Sequence, residues 1–413
     1  MANNRVFGGN GHTKEKLIDA HPDLPQLIQR LIDDGVKQKD MPQALSDDHD
    51  ITIGQRSVER IIKTHALKTT RHSGLSDLEK TTAILAVSAE DSLDRWGGRK
   101  IKEKLAVEGI HVPREYINKV RATQNPEASI MRHPGTKKVH KSGLHCSGPD
   151  EEWCADGHEK LLSMGLSIYG FIDKFSRREL SLHVVPTSRT SDVPPALYLM
   201  LVRSKGGIPI QTTTDMGSET GILAALQTSL RQAALPELDI ELVPAHRSVK
   251  SVHNITRERN WRPLWEKELS SIKFDYESGQ IAAGYHPEDT LHQDFARWVW
   301  AKAVQHRLDK HVRENGRHHI RTQKKSRLPT GGRIKDFYEH PDRYGGRAQL
   351  IQVDLGLVDR LIEEHTPSDL FQFASTPEME LVCGLTYAAI GSPEISSLNA
   401  WPVFTAMVNT VKM

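Results

Sequence analysis

Apolar positions first recur at helical spacing from Leu24: Leu24, Leu27, Ile28, Leu31 and Ile32 share one face, and the run stops at Gly35. A second short helix is predicted around Gln38 to Leu45. Ile51-Thr-Ile-Gly54 then leads into a third over Gln55 to Lys63. Three short helices with a tight turn before the last form a helix-turn-helix pattern over 24–72. The third helix turns Val58, Ile61 and Ile62 inward and leaves Arg56, Arg60 and Lys63 outward, the composition of a helix that enters a major groove. The bland reading is a small structural bundle with a solvated basic face. Residues 1–23 show no periodicity and read as a flexible arm.

A similar unit recurs over 73–122. Leu75 to Ala89 is predicted helical, Trp96-Gly-Gly-Arg99 opens a second helix through Leu105, and Gly109 to Arg114 turns into a third ending near Arg121. Pro113 suits the start of that helix, and Arg114, Asn118 and Lys119 supply polar contacts for DNA. Residues 123–150 lose periodicity, carry Pro126, Pro134, Gly135 and Pro149, and read as a basic linker.

From 151 the period changes to two. Strands are predicted over Trp153–Gly157, Leu166–Asp173, Glu179–Pro186, Ile208–Asp215 and Leu238–Val243, with helices over Asp192–Ser204 and Thr220–Ala233 and a long helix from about Ser251. An antiparallel meander followed by crossover helices implies a mixed sheet flanked by helices, the order of a ribonuclease-H-like α/β domain over 151–296.

Phosphodiester cleavage and transfer with two divalent ions needs carboxylates from separate segments to converge on one pocket. Asp156 at the end of the first strand, Asp215 at the end of the fourth and Glu258 on the long helix are candidates, 59 and 43 residues apart. Among 53 acidic residues such spacing is weak by itself, but Gly157 and Gly217 allow a close backbone turn beside a charged ligand. Asn254, Glu258, Trp261 and Trp265 fall on one helical stripe, with Arg257 and Arg259 projecting sideways toward phosphates.

The stretches Glu152-Trp-Cys-Ala-Asp156-Gly, Tyr169-Gly-Phe-Ile-Asp173-Lys-Phe-Ser-Arg-Arg178, Thr214-Asp215-Met-Gly-Ser-Glu219 and Ser251-Val-His-Asn254-Ile-Thr-Arg-Glu258-Arg-Asn-Trp261 together resemble the integrase catalytic cores of the DDE superfamily, in the branch carried by mobile elements of fungal and animal genomes. The likeness spans roughly residues 75 to 345. It implies an enzyme that processes element ends and joins them to target DNA, with Asp156, Asp215 and Glu258 as catalytic ligands of two Mg²⁺ or Mn²⁺ ions. It also implies double-stranded DNA as partner, a homo-oligomer on that DNA, and a nuclear location. Asp173 is expected to be structural or to pair with an arginine, and Glu219 either to cap the following helix or to stand behind the ligands as a fourth carboxylate. Two departures stand out: Ile255-Thr256 replace the usual Gln-Arg, and Pro263 falls inside the catalytic helix. A kink there could pull Glu258 away. The alternative is therefore an inactive, host-adopted DNA-binding protein derived from a mobile element.

Charge refines this picture. Lys plus Arg total 55 against 53 acids over 413 residues, so a DNA-facing surface must come from local segregation. Residues 297–347 provide it, with 14 Lys and Arg against 5 acids. Arg321, Lys324, Lys325 and Arg327 are candidate phosphate contacts or a solvated helix face, interleaved with Trp298, Trp300, Phe337 and Tyr338, which read as stacking platform or as core. Lys324-Lys-Ser-Arg327 could also serve as a nuclear address. The helical tail, 348–413, either packs back or mediates self-association. No run reaches the length of a membrane span and no signal peptide is visible, so a soluble intracellular protein is expected. Cys146, Cys154 and Cys383 are too sparse for a disulfide framework, and His145, Cys146, Cys154 and His158 match no zinc spacing.

Overall fold

The computed structural model describes residues 18, 20–70, 72–92, 95–124, 144–249, 254–324 and 326–412. It divides into two compact units, one built from residues up to 88 and 96–132, the other from 89–95 and 133 onward.

The first unit holds two groups of three helices. In the first group, α1 (Leu24–Asp33), α2 (Met41–His49) and α3 (Gln55–Thr64) surround Leu27, Ile28, Leu45, Val58 and Ile61. Pro25 near the start of α1 costs no hydrogen bond, because the first helical N–H groups have no partner within the helix. In the second group, α4 (Asp77–Ala89), α5 (Gly98–Val107) and α6 (Arg114–Gln124) enclose Trp96, Ile101, Leu105 and Ile117. His111 Nε2 lies 2.7 Å from Asp33 Oδ1 and ties the two groups together.

The second unit is a layered α/β structure. Its strands β1 (Glu152–His158), β2 (Ser167–Asp173) and β3 (Glu179–Val185) form the meander. Helix α7 (Val193–Lys205), the short β4 (Gly207–Ile208), β5 (Gln211–Asp215), α8 (Gly221–Ala234) and β6 (His246–Val249) follow. The sheet order is β3-β2-β1-β5-β6, antiparallel within the meander and parallel from β1 through β5 to β6. One face rests on α7 and α8 through Trp153, Tyr169, Phe171, Leu199 and Leu223.

The other face is covered by α9 (Ile255–Leu264), a single π-helical turn at Trp265–Leu269, α10 (Ser270–Gly279) and the long α11 (Thr290–Asn315). Beyond these lie α12 (Ile334–Glu339), β7 (Ile351–Gln352), α13 (Leu355–His365), α14 (Pro377–Ala389) and α15 (Ala400–Lys412).

Several expectations are corrected here. The strand foreseen over Ile208–Asp215 is two strands, because Pro209 has no N–H for a ladder; β4 pairs with β7 instead. The strand foreseen at Leu238–Val243 is a turn closed on Asp239, whose side chain accepts from Glu241 N and whose carbonyl accepts from Val243 N. The true strand follows Pro244 and sets His246 beside Thr212. The boundary drawn at 296/297 falls inside α11, so 297–347 is no separate extension. Trp298, Trp300 and Phe337 are buried core residues rather than a stacking platform. The tail packs back: Cys383, Trp401, Phe404 and Met407 join the same hydrophobic cluster as Trp300 and Val304.

No helix among the described residues is long and apolar enough to cross a membrane.

Candidate active site

Strands β1 and β5 run parallel, with Cys154 beside Thr213. Carrying that register two residues on sets Asp156 level with Asp215 on one face at the carboxyl ends of both strands, where open α/β sheets place their sites. Across the antiparallel pair, Asp156 faces Gly170. A Cβ at Gly170 would collide with Leu182 and crowd the Arg257 guanidinium, so glycine there makes room for α9 to lie against the sheet.

Helix α9 is locked onto β1 by polar contacts. Asn254 Nδ2 donates to the Ala155 carbonyl at 3.0 Å, and Trp261 Nε1 donates to Asp156 Oδ2 at 2.8 Å. Trp261 also stacks on His158, with ring centroids 4.6 Å apart and an interplanar angle of 16°. Glu258, in the first turn of α9, is exposed at the edge of this face.

Asp156, Asp215 and Glu258 consequently line one cavity of about 950 Å³, together with His158, Lys160, Leu162, Ser188, Arg189, Glu219, Trp261 and Arg262. Burial pushes the Asp156 carboxyl up to about 7, and the negative charges of Asp215 and Glu258 push the same way, against the Trp261 hydrogen bond. Asp215 is raised by burial and by Glu219. Burial holds His158 down at about 4, so its imidazole is neutral.

Asp156 and Asp215, whose charged forms burial disfavours, are groups that a cation would stabilise, and an all-oxygen donor set suits Mg²⁺ or Mn²⁺. Among the described residues no three His, Cys, Asp or Glu side chains are grouped tightly enough to enclose one ion. The donors line the cavity without forming a preassembled cage. Cys146 and Cys154 are buried free thiols with protonation favoured by burial, far from the thiolate a zinc site needs.

Residues 144–332 match the family model described as Integrase core domain. This part of the chain is an integrase core. Its mixed five-stranded sheet with helices on both faces is the ribonuclease-H-like fold, preceded by the helical first unit. The integrase core belongs to a family of polynucleotidyl transferases that act on DNA and use divalent metals. No curated protein matches the chain.

Other foreseen residues fall in varied places. Arg257 is fully buried: it pairs with Glu179 of β3 and its guanidinium lies 3.6 Å from the centroid of the Trp261 ring. It therefore holds the integrase core together and cannot project to a phosphate, whereas its neighbour Arg259 is exposed. Asp173 is fully buried and accepts hydrogen bonds from Asp150 N, Ser176 N and the Ser176 hydroxyl, a structural anchor for the β2–β3 turn. Glu219 lines the cavity instead of capping α8, which begins at Gly221 behind Thr220 with no side-chain cap bond.

Arg56 and Lys63 are exposed on α3 with Arg60 half-buried, and Arg114, Asn118 and Lys119 are exposed on α6. Arg321, Lys324 and Arg327 are exposed between α11 and α12; Lys325 lies outside the described residues, as do Ser251 and the foreseen helix start. Sequence reasoning missed Lys160, Arg189 and Arg262. Only Arg262 had a signal, one helical turn beyond Glu258; the others reach the cavity through tertiary folding.

Proposed function

We propose that this chain is a DNA integrase or transposase in which Asp156, Asp215 and Glu258 hold two Mg²⁺ or Mn²⁺ ions. The observation that carries the reading is the convergence of these three carboxylates, from β1, β5 and α9, on one cavity where Asp156 is held up at about 7. Bound there, the ions would supply Lewis-acid stabilisation of the attacking and leaving oxygens of a phosphodiester.

The chain's own residues do the rest. Trp261 fixes the rotamer of Asp156 through its indole N–H, and the buried Arg257–Glu179 pair fixes Trp261. Lys160 at the cavity would attract the phosphate backbone, and Arg189 and Arg262 would do so by leaving their pairs with Glu159 and Glu266. Arg259 extends that positive rim. The basic faces of α3 and α6 would select or retain duplex DNA, and the Arg321–Arg327 segment would track the backbone or address the nucleus. Assembly as a homo-oligomer would let two element ends be handled together.

The test is metal-dependent nicking and strand transfer on labelled duplexes, including native element ends, with Asp156→Asn and Glu258→Gln variants and parallel DNA-binding titrations. Loss of activity in both variants with binding retained supports the reading. Metal-independent binding by a parent chain that neither nicks nor joins DNA overturns it in favour of an adopted DNA-binding protein.

A further inference from the structure

The cavity has one wall residue that neither the carboxylates nor the cations explain. Leu162 lines it and is 52% exposed. A single exposed leucine is ordinary on a protein surface. This one differs in how it is held. It opens a 3₁₀ turn, Leu162–Met164, whose flanking apolar residues Leu161 and Met164 are both buried. Leu162 N donates to the Glu159 carbonyl at 3.1 Å, Met164 N to Leu161 at 2.8 Å and Gly165 N to Leu162 at 2.9 Å. Gly165 closes the turn at φ +69 directly against the Arg297 side chain, where a Cβ would collide. The turn is thus pinned from below and presents Leu162 outward.

Its surroundings identify the occupant. Lys160 lines the same cavity and offers a cation to a phosphate, next to Arg189, which is paired with Glu159. Met216 is 68% exposed in the chain between Asp215 and Gly217, both of which line the cavity. Apolar groups beside a phosphate-attracting wall meet the one apolar part of a nucleic acid, the faces of its stacked bases. Proteins that deform duplexes insert Leu or Met between base steps in this way.

We propose that Leu162 is a wedge that unstacks the base step next to the scissile phosphate, so that the backbone can bend into the carboxylate cavity. This rests on the reading that the cavity receives DNA, but not on the chain being catalytically active. Leu162 acts by positioning the DNA; it takes no part in bond breaking.

The test uses the full chain carrying Asp156→Asn, so that DNA is not consumed. The probe is a branched duplex mimicking a strand-transfer product, with 2-aminopurine at the nucleotide beside the junction. Binding is followed by anisotropy and unstacking by 2-aminopurine fluorescence. Binding should raise the fluorescence several-fold. Adding Leu162→Ala should abolish the rise while shifting the binding midpoint by no more than about twofold, since phosphate contacts dominate affinity. Leu162→Phe should keep the rise. Fluorescence that rises equally with Leu162→Ala, or that never rises although anisotropy reports binding, overturns the wedge. A parent chain that raises the fluorescence yet never nicks DNA would overturn the catalytic reading alone, and absence of binding would overturn both.

Discussion

Trp261 donates its indole N–H to Asp156 Oδ2 across 2.8 Å, so the helix that carries Glu258 also orients the carboxylate presented by β1. The bond works against burial, and the balance leaves this carboxyl at about 7. Replacing Trp261 by phenylalanine keeps most of the ring contact with His158 and removes the donor. A hydrogen bond to a charged group contributes about 1.5–3 kcal/mol, so Mn²⁺ affinity at neutral pH should fall by roughly tenfold or more. Mn²⁺ titration calorimetry on the folded variant measures this, and parent-like affinity would show that the bond does not tune the site.

Arg257 should be a stability residue. Both members of its pair with Glu179 are buried, and removing one partner of such a pair costs about 3–5 kcal/mol because a charge is left uncompensated. Arg257→Ala should therefore lower the urea midpoint sharply. Arg257→Met combined with Glu179→Leu should recover much of the loss, and whatever folds should bind DNA as the parent does. A binding defect in a stable Arg257→Met, Glu179→Leu protein would restore the phosphate-contact role.

The raised Asp156 carboxyl carries a pH signature. Its ordinary value is 3.8 and its folded value about 7, so between these the folded chain keeps a proton that the unfolded chain releases. Its contribution to stability is whole below about pH 4 and is lost as pH rises to about 7, on the order of 2 kcal/mol after discounting for solvent at the cavity mouth. In chelator, Asp156→Asn should flatten this part of the Tm-against-pH curve and gain most over the parent near pH 8. Adding Mn²⁺ should narrow the gap at pH 8 by stabilising the parent selectively. Parallel curves for the two proteins would remove the basis for the raised value.

Pro263 sits inside α9, and a π-helical turn follows at Trp265–Leu269. Glu258 lies five residues before the proline and still lines the cavity. Pro263→Ala restores a backbone donor at an exposed position and should stabilise the chain by about 1 kcal/mol or more. If the chain transfers strands, its rate should change by less than about threefold; a large gain would mean that the proline does displace Glu258.

Much of the fold was readable because amphipathic spacing is local. The stripes at Leu24–Ile32 and Val58–Ile62, and the alternation through the meander, each report a buried face directly. Asp156 and Asp215 could be singled out because each lies near the carboxyl end of a strand with a glycine one or two residues on. The failures share a non-local cause. Strand β6 carries His246, Arg247, Ser248 and Val249, none of them buried, so no alternation marks it; only pairing with β5 makes it a strand. Arg257 reads as a surface cation until Glu179, far away in sequence, meets it under the helix. Trp298 and Trp300 read equally as platform or core until the last helices arrive to bury them.

The pairing of β4 with β7 and the seating of α15 against α11 also set an order of assembly. As the chain leaves the ribosome, β1 through β6 and α9 can form early, but the apolar side of α11 stays uncovered until the final helix emerges. A fragment ending at residue 332, where the family match stops, would be born with that side open and should aggregate. Residues 333–412 thus act for the nascent chain as a built-in cover against self-adhesion.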